Sequence, residues 1–400
     1  MLRFLTAGES HGPCLTGIVE GLPAGLVVDM EVINRDLARR QGGYGRGGRM
    51  KIERDRVEIL GGVIAGRTTG APVALRVVNR DWANWRDRWA AGDGSAELAE
   101  VLPRLTVPRP GHADYAGMVK YGLDDARPVL ERASARETAT RVAVGALAKL
   151  LLAALPNHVI VGSYVTEIGG VVAKIPDLPP EELWALAEAS DVRCPDEEGA
   201  AQMRTAIDAA RQAGDSLGGV FVVVATGVPV GLGSHVHWER RLDARLAAAV
   251  MSIPAIKGVE IGPAFENTRR PGTQVHDEFK RIGESANQRI GESAGQRISE
   301  SASWLVTRTS NRAGGIEGGM SNGQPIVVRA AMKPIPTTLT PLQSVDLATG
   351  EPAQTQYQRS DVCAVPAAAV VGEAMVAWVL ADALVEKLGG DSLTEMARGK

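Results

Sequence analysis

The chain has 400 residues, 44% hydrophobic and 23% charged, enough apolar material for one large core or two ordinary ones and too much for a disordered chain. Its 44 Lys and Arg against 47 Asp and Glu leave a formal charge of -3, so neither nucleic acid nor an anionic membrane is expected as a partner. Cys14, Cys194 and Cys363 are scattered with no CxxC, which argues against a disulfide framework or a zinc ribbon and for a reducing compartment. The opening "MLRFLTAGESHG" lacks a charged segment followed by an apolar run, and no later stretch is expected to approach the roughly 20 apolar residues that span a bilayer. The expected location is the cytoplasm.

Two glycine motifs come first along the chain. "GESHG", residues 8–12, matches the nucleophile elbow G-x-S-x-G, but the elbow needs a helix after it and "PCLTGIVEGLPAG" cannot make one, so Ser10 is not expected to be a nucleophile. "GYGRGG", residues 43–48, matches G-x-G-x-x-G, yet helix-like sequence precedes it and strand-like "KIERDRVEIL" follows, the reverse of a dinucleotide-binding turn. Trp82, Trp85 and Trp89 fall at helical spacing, which points to packing. The segment "ERASARETATRVAVGALAKLLLAALPN" reads as a helix with Val142, Ala146 and Leu150 on its apolar face; the capping-box spacing of Ser134 and Glu137 marks its start and Pro156 its end.

Shorter helices are expected at 180–190 and 202–213, and strands in "HVIVGSYV", "GGVFVVVATGV" and "PIVVRAAM", rich in β-branched residues and bounded by Gly or Pro. Residues 281–304, "RIGESANQ RIGESAGQ RISESASW", write one polar octad three times; eight residues match no solenoid or heptad period, and an expanded surface loop is expected. A second long helix follows late, with Pro366 in its first turn and Gly389-Gly390 as its stop. Both long helices are apolar nearly all round, as interior helices are. Helices and strands come in blocks, so the expected class is α+β, in one domain over 1–400.

The chemistry gathers in "RRQGGYGRGGRM", residues 39–50, with four arginines, five glycines and no acid. Glycines let backbone N–H groups approach a ligand, and guanidinium forks grip phosphate or carboxylate at two points. A small, multiply anionic ligand fits this better than RNA, because only one such patch occurs in an acidic protein with 4% aromatics. His11 and His112 sit in Gly/Pro-rich loops, where functional groups concentrate, and imidazole titrates near neutral pH. His235 and His237 would share one face of a strand but lack a further ligand, so no metal is expected; His158 and His276 carry no signal.

"TAGESHGPCLTGIVEGLPAG", "RRQGGYGRGGRMKIE", "PRPGHADYAG", "ERASARETATRVAVGALAK", "IPAIKGVEIG", "AGGIEGGMSNGQPIVVRAAMKPIPT" and "RSDVCAVPAA" closely resemble blocks of the chorismate synthases, from the first residues to the C-terminal helix. The resemblance implies a β-α-β sandwich with interior helices between antiparallel sheets, assembled as a homotetramer. It implies a lyase of the shikimate pathway, in aromatic amino-acid biosynthesis, that removes phosphate from 5-enolpyruvylshikimate 3-phosphate by a 1,4-anti elimination. The reaction needs reduced FMN without net redox change, and either NADPH or an external reductase supplies that state.

By the same resemblance, His11 protonates the departing phosphate, His112 protonates or stabilises the reduced flavin, and Asp361 assists removal of the C6 proton. Arg40, Arg46, Arg49, Arg109, Arg136 and Arg359 form the cationic substrate pocket, with Arg40 and Arg46 alternatively assigned to NADP. Flavin contacts fall to Arg132, Ala133, Ser134, Pro254, Ala255, Gly318, Lys333, Pro334, Ile335, Pro336, Thr337 and Arg359. The octad repeat departs from the family pattern, which has a shorter connection before "NRAGG".

Overall fold

The computed structural model describes residues 1–48, 52–86, 102–281, 306–358 and 360–398. The chain opens with β1 (Arg3–Ala7), β2 (Cys14–Glu20), β3 (Val57–Gly61) and β4 (Val73–Val78), which form an antiparallel sheet in the order β1-β2-β4-β3. Alternation sets its inner face: in β2, Leu15, Gly17 and Val19 are buried while Ile18 and Glu20 face outward. Between β2 and β3 runs α1 (Met30–Gln41), started by the Asp29 carboxylate, which accepts from the N–H groups of Glu31 and Val32. After the first sheet come α2 (Asp114–Tyr121), α3 (Arg127–Arg132) and the long α4 (Thr138–Ala154).

The second half supplies β5 (Ile160–Ile168), β6 (Val171–Val172), β7 (Gly219–Thr226), β8 (Ile256–Ile261) and β9 (Ile326–Met332), antiparallel in the order β8-β9-β7-β5-β6. Helices α5 (Pro180–Ala189), α6 (Glu197–Gln212) and α7 (Leu242–Met251) flank it, and α8 (Val365–Leu388) ends the core. α4 packs on β2 and on α8, while α8 lies on β5 and β7. The architecture is α+β, with interior helices between two antiparallel sheets, as expected from the sequence.

Small residues permit this layering. A Cβ on Gly145 of α4 would lie 2.3 Å from Cβ of Ala374 in α8, and one on Gly372 would lie 2.6 Å from the Phe221 ring of β7. These two glycines let the interior helices meet each other and the sheet at a distance that no larger residue permits. One apolar cluster runs from Leu15 and Leu75 through Val142 and Leu147 to Val376 and Phe221.

Four expectations change. α8 does have the length and hydropathy of a bilayer span, 1.8 over its most apolar window, but 94% of that window is buried inside the protein. Ser134 does not cap α4 directly; its hydroxyl accepts from Arg136 N in a 3-10 turn, Ala135–Glu137, and α4 starts after it at Thr138. Glu137 does not complete a capping box, because its carboxylate binds Thr6 and Arg141 instead. His235 and His237 lie in an irregular bend, not a strand, and His237 caps the turn Trp238–Arg240. Trp82 belongs to a 3-10 turn, Arg80–Asn84, with Trp85 just after it; Trp89 and the octad repeat beyond Arg281 lie outside the described residues.

Candidate active site

The tight loop between β1 and β2 carries His11. Its imidazole Nδ1 lies 2.8 Å from Glu131 Oε1, and its backbone N–H donates to Glu131 Oε2 at 2.7 Å. Glu131 is buried near the end of α3. The Trp85 ring lies over the imidazole, with centroids 4.2 Å apart. Asn79, after β4, fixes the rest of the loop: its side-chain amide donates to the carbonyls of Glu9, Ser10 and Gly12. Ser10 is buried and receives a hydrogen bond from the Ser134 hydroxyl, and the following residues form β2, so no elbow exists.

Below this loop, guanidinium groups crowd together. Arg136 donates through Nε to Asn79 Oδ1 at 2.8 Å and through Nη1 to both oxygens of Asp55 at 2.7 Å. Arg40, at the C-terminal end of α1, donates to Thr138 Oγ1 and to the Ala135 carbonyl. Its Nη1 is buried, makes no hydrogen bond among the described residues and stands 3.6 Å from Asp55. Burial, with Arg136 and Arg46 nearby, lowers the Arg40 guanidinium to about 9, against the pull of Asp55 and Asp361. Arg46 pairs with Asp361 at 2.8 Å, and Asp361 also accepts from Gly47 N–H at 2.6 Å. The loop is held by its own backbone as well: Gly45 O accepts from Val362 N, and Tyr44 donates its hydroxyl to Asp208 of α6.

His112 opens a second cluster. Its Nδ1 lies against Asp114 at the start of α2 and 3.0 Å from Arg109 Nη2, and Asp114 takes a two-point contact from Arg109 through Nε at 2.8 Å and Nη2 at 3.1 Å. These donors hold the Asp114 carboxyl well below the usual range although burial opposes them. Arg109 Nη1 donates to Thr337, and Lys333 Nζ to the Gly111 carbonyl at 2.5 Å, so the segment 333–337 lies against the histidine loop. Lys333 N–H donates to Ala255 O, which brings Pro254 and Ala255 to the same place.

The predicted set thus gathers in two linked groups. Arg132 donates to the Gly8 and Thr6 carbonyls beside the His11 loop and lies 4.0 Å from Glu137. Glu137 binds Arg141, whose Nη1 donates to Ser252, two residues before Pro254. Gly318 is apart from them on one chain. It follows Glu317 in a hairpin whose next residue, Gly319, receives Leu242 N–H at the start of α7, whereas Ala255 follows the other end of that helix, about 15 Å along it. Arg49 and Arg359 lie outside the described residues. Sequence reading missed Glu131, Asn79, Asp55 and Asp114. Only Asp114, two residues after His112, carried a local signal.

The comparisons with known proteins agree along the whole chain. A family model described as chorismate synthase matches residues 2–385. The chorismate synthase of Geobacter sulfurreducens is 56% identical over 398 residues, covering 100% of this chain and 97% of that protein, and that of Kocuria rhizophila is 54% identical, covering 100% and 92%. A crystal structure of a chorismate synthase superposes with a TM-score of 0.73 at 43% identity, covering 99% of this chain and 95% of that one. Fold, gathered side chains and relatives define an enzyme, a carbon–oxygen lyase that acts on a small molecule. The chain belongs to the chorismate synthase family.

Proposed function

We propose that the protein catalyses the 1,4-anti elimination of phosphate from 5-enolpyruvylshikimate 3-phosphate to give chorismate, with reduced FMN bound, as one domain in a homotetramer of the cytoplasm. The observation that carries this reading is the guanidinium cluster of Arg40, Arg46 and Arg136, in which the buried Arg40 Nη1 has an ion-pair partner in Asp55 but, among the described residues, no hydrogen-bond acceptor. A buried guanidinium N–H group that lacks a hydrogen bond is costly unless a ligand supplies the acceptor, and a substrate bearing one phosphate and two carboxylates would do so. Arg46 adds charge, while Arg136, whose donors reach Asn79 and Asp55, serves the pocket by holding those two residues. Arg49, Arg109 and Arg359 complete the proposed cationic set.

The residues also suit FMN. Arg132 and Lys333 offer cations, Ser134 and Thr337 hydroxyls, and Ala133, Pro254, Ala255, Pro334, Ile335 and Pro336 small or flat apolar surface. Burial and the neighbouring Lys257 lower the Lys333 ammonium, a strain that an anionic group beside it relieves. Bound reduced FMN supplies electron density that eases loss of the phosphate, the hard part of the chemistry.

The chain's own groups handle protons. His11 presents Nε2, the ring nitrogen turned from Glu131, to the leaving phosphate as general acid. His112, fixed through Nδ1 to Asp114, holds a proton on the cofactor side, and Asp361, oriented by Arg46 and Gly47, assists removal of the C6 proton. His11→Ala and Asp361→Ala should retain FMN and substrate binding in calorimetry and lose about 100-fold or more in turnover. Near-normal turnover in either variant removes that residue from the mechanism.

A further inference from the structure

Glu131 meets His11 at two points, one on the backbone and one on the ring. The carboxylate is buried, 2% exposed, and accepts two donors from one residue: the His11 backbone N–H at Oε2 and the imidazole Nδ1 at Oε1. A backbone N–H can only donate, so Oε2 is committed. An ionised carboxylate only accepts, so a hydrogen bond at Oε1 requires the hydrogen on Nδ1. Trp85 against the ring face and the Asn79 amide on the loop carbonyls leave the imidazole little room to turn. Among the described residues Nε2 of His11 has no hydrogen-bond partner. We propose that Glu131 is a positioning residue that fixes His11 as the Nδ1–H tautomer and thereby reserves Nε2 for the proton exchanged with the leaving group. This rests on the reading of His11 as the acid.

The isosteric change Glu131→Gln tests the idea sharply, because an amide has one acceptor and one donor end. The carbonyl oxygen must serve the obligate backbone donor, which turns the NH2 toward Nδ1 and makes that nitrogen an acceptor. The variant should therefore move the neutral-ring proton to Nε2 and disfavour the doubly protonated ring. Nitrogen-15 spectra of histidine-labelled protein through a pH series read this directly, with the His11 signals identified by their loss in His11→Ala.

The expected result is Nδ1–H in the parent and Nε2–H in Glu131→Gln. With it should come a fall in kcat on the order of 100-fold, the scale of general acid catalysis, and little change in KM or FMN affinity. An Nε2–H neutral ring in the parent overturns the proposal without any variant, so a Glu131→Gln protein that fails to fold does not shield it. An unchanged tautomer or unchanged kcat in a folded variant overturns it equally. A parent that shows the Nδ1–H tautomer but makes no chorismate refutes the functional reading and leaves the pairing standing.

Discussion

Glu373 is a carboxylate in the middle of the most apolar helix of the protein, and replacing it by Gln should be among the most damaging single-atom changes available. Arg39 donates to it through Nη1 and Nη2, each at 2.8 Å, Lys149 at 2.7 Å, Arg193 at 3.2 Å and the Ser163 hydroxyl at 2.6 Å. The group is fully buried, and its ionised form is held well below the usual carboxylate range; burial opposes this, but Lys149, Arg39 and Arg193 outweigh it. An amide can keep the donors at one oxygen only. Turning its NH2 toward the Oε2 side sets it against Arg39 Nη1 and Lys149, two charge-assisted bonds lost at about 1.5–3 kcal/mol each.

The expected cost is therefore about 3–5 kcal/mol, the range for removing one partner of a buried ion pair. Urea unfolding at one fixed protein concentration measures it. The sign of the pH dependence follows from the lowered folded value: the contribution is complete above about pH 5, where an unfolded Glu is ionised, and is lost as pH falls through the folded value. Glu373→Gln should flatten that acid limb. A loss below about 1 kcal/mol, or an unchanged acid limb, would refute the assignment of Glu373 as the buried charge that draws Arg39, Lys149 and Arg193 against the core.

Gly145→Ala should cost about 1–3 kcal/mol in the same unfolding assay, because the new methyl meets Ala374 backbone and side chain across the interior helices. Asp114→Asn should lower turnover on the order of 100-fold in steady-state assays by releasing both Arg109 and His112, and it should remove part of the acid-side loss of stability, since the Asp114 carboxyl is likewise held low in the fold. Deleting two of the three octads within 281–304 should leave kcat and FMN affinity unchanged if the repeat is an expanded loop; a weaker flavin dissociation constant in fluorescence titration would make it part of the site.

The fold was legible where one pattern dominates. The long apolar runs that Pro366 opens and Pro156 closes returned as interior helices, and β-branched runs such as "GGVFVVVATGV" returned as strands in the expected places. The start of α4 slipped because Ser134 and Glu137 fit a capping box locally while Thr6 and Arg141, remote or one turn on, compete for Glu137. A buried carboxylate leaves almost no trace in sequence: Glu131 and Asp55 matter through partners 120 and 81 residues away, and nothing local distinguishes them from surface acids. The arginine loop was legible as chemistry but not as geometry. Arg39 and Arg40 are neighbours in sequence, yet the helical turn sends Arg39 to Glu373 and Arg40 to Thr138 and Asp55.

The proposed removal of phosphate from 5-enolpyruvylshikimate 3-phosphate by these arginines and histidines can be followed directly. The most direct measurement mixes the protein anaerobically with that substrate and photoreduced FMN and follows phosphate release and chorismate absorbance together. Equal rates for both products, seen only with reduced flavin and abolished in His11→Ala, are the expected result. Folded, flavin-binding protein that releases neither product, or releases phosphate without chorismate, would contradict it.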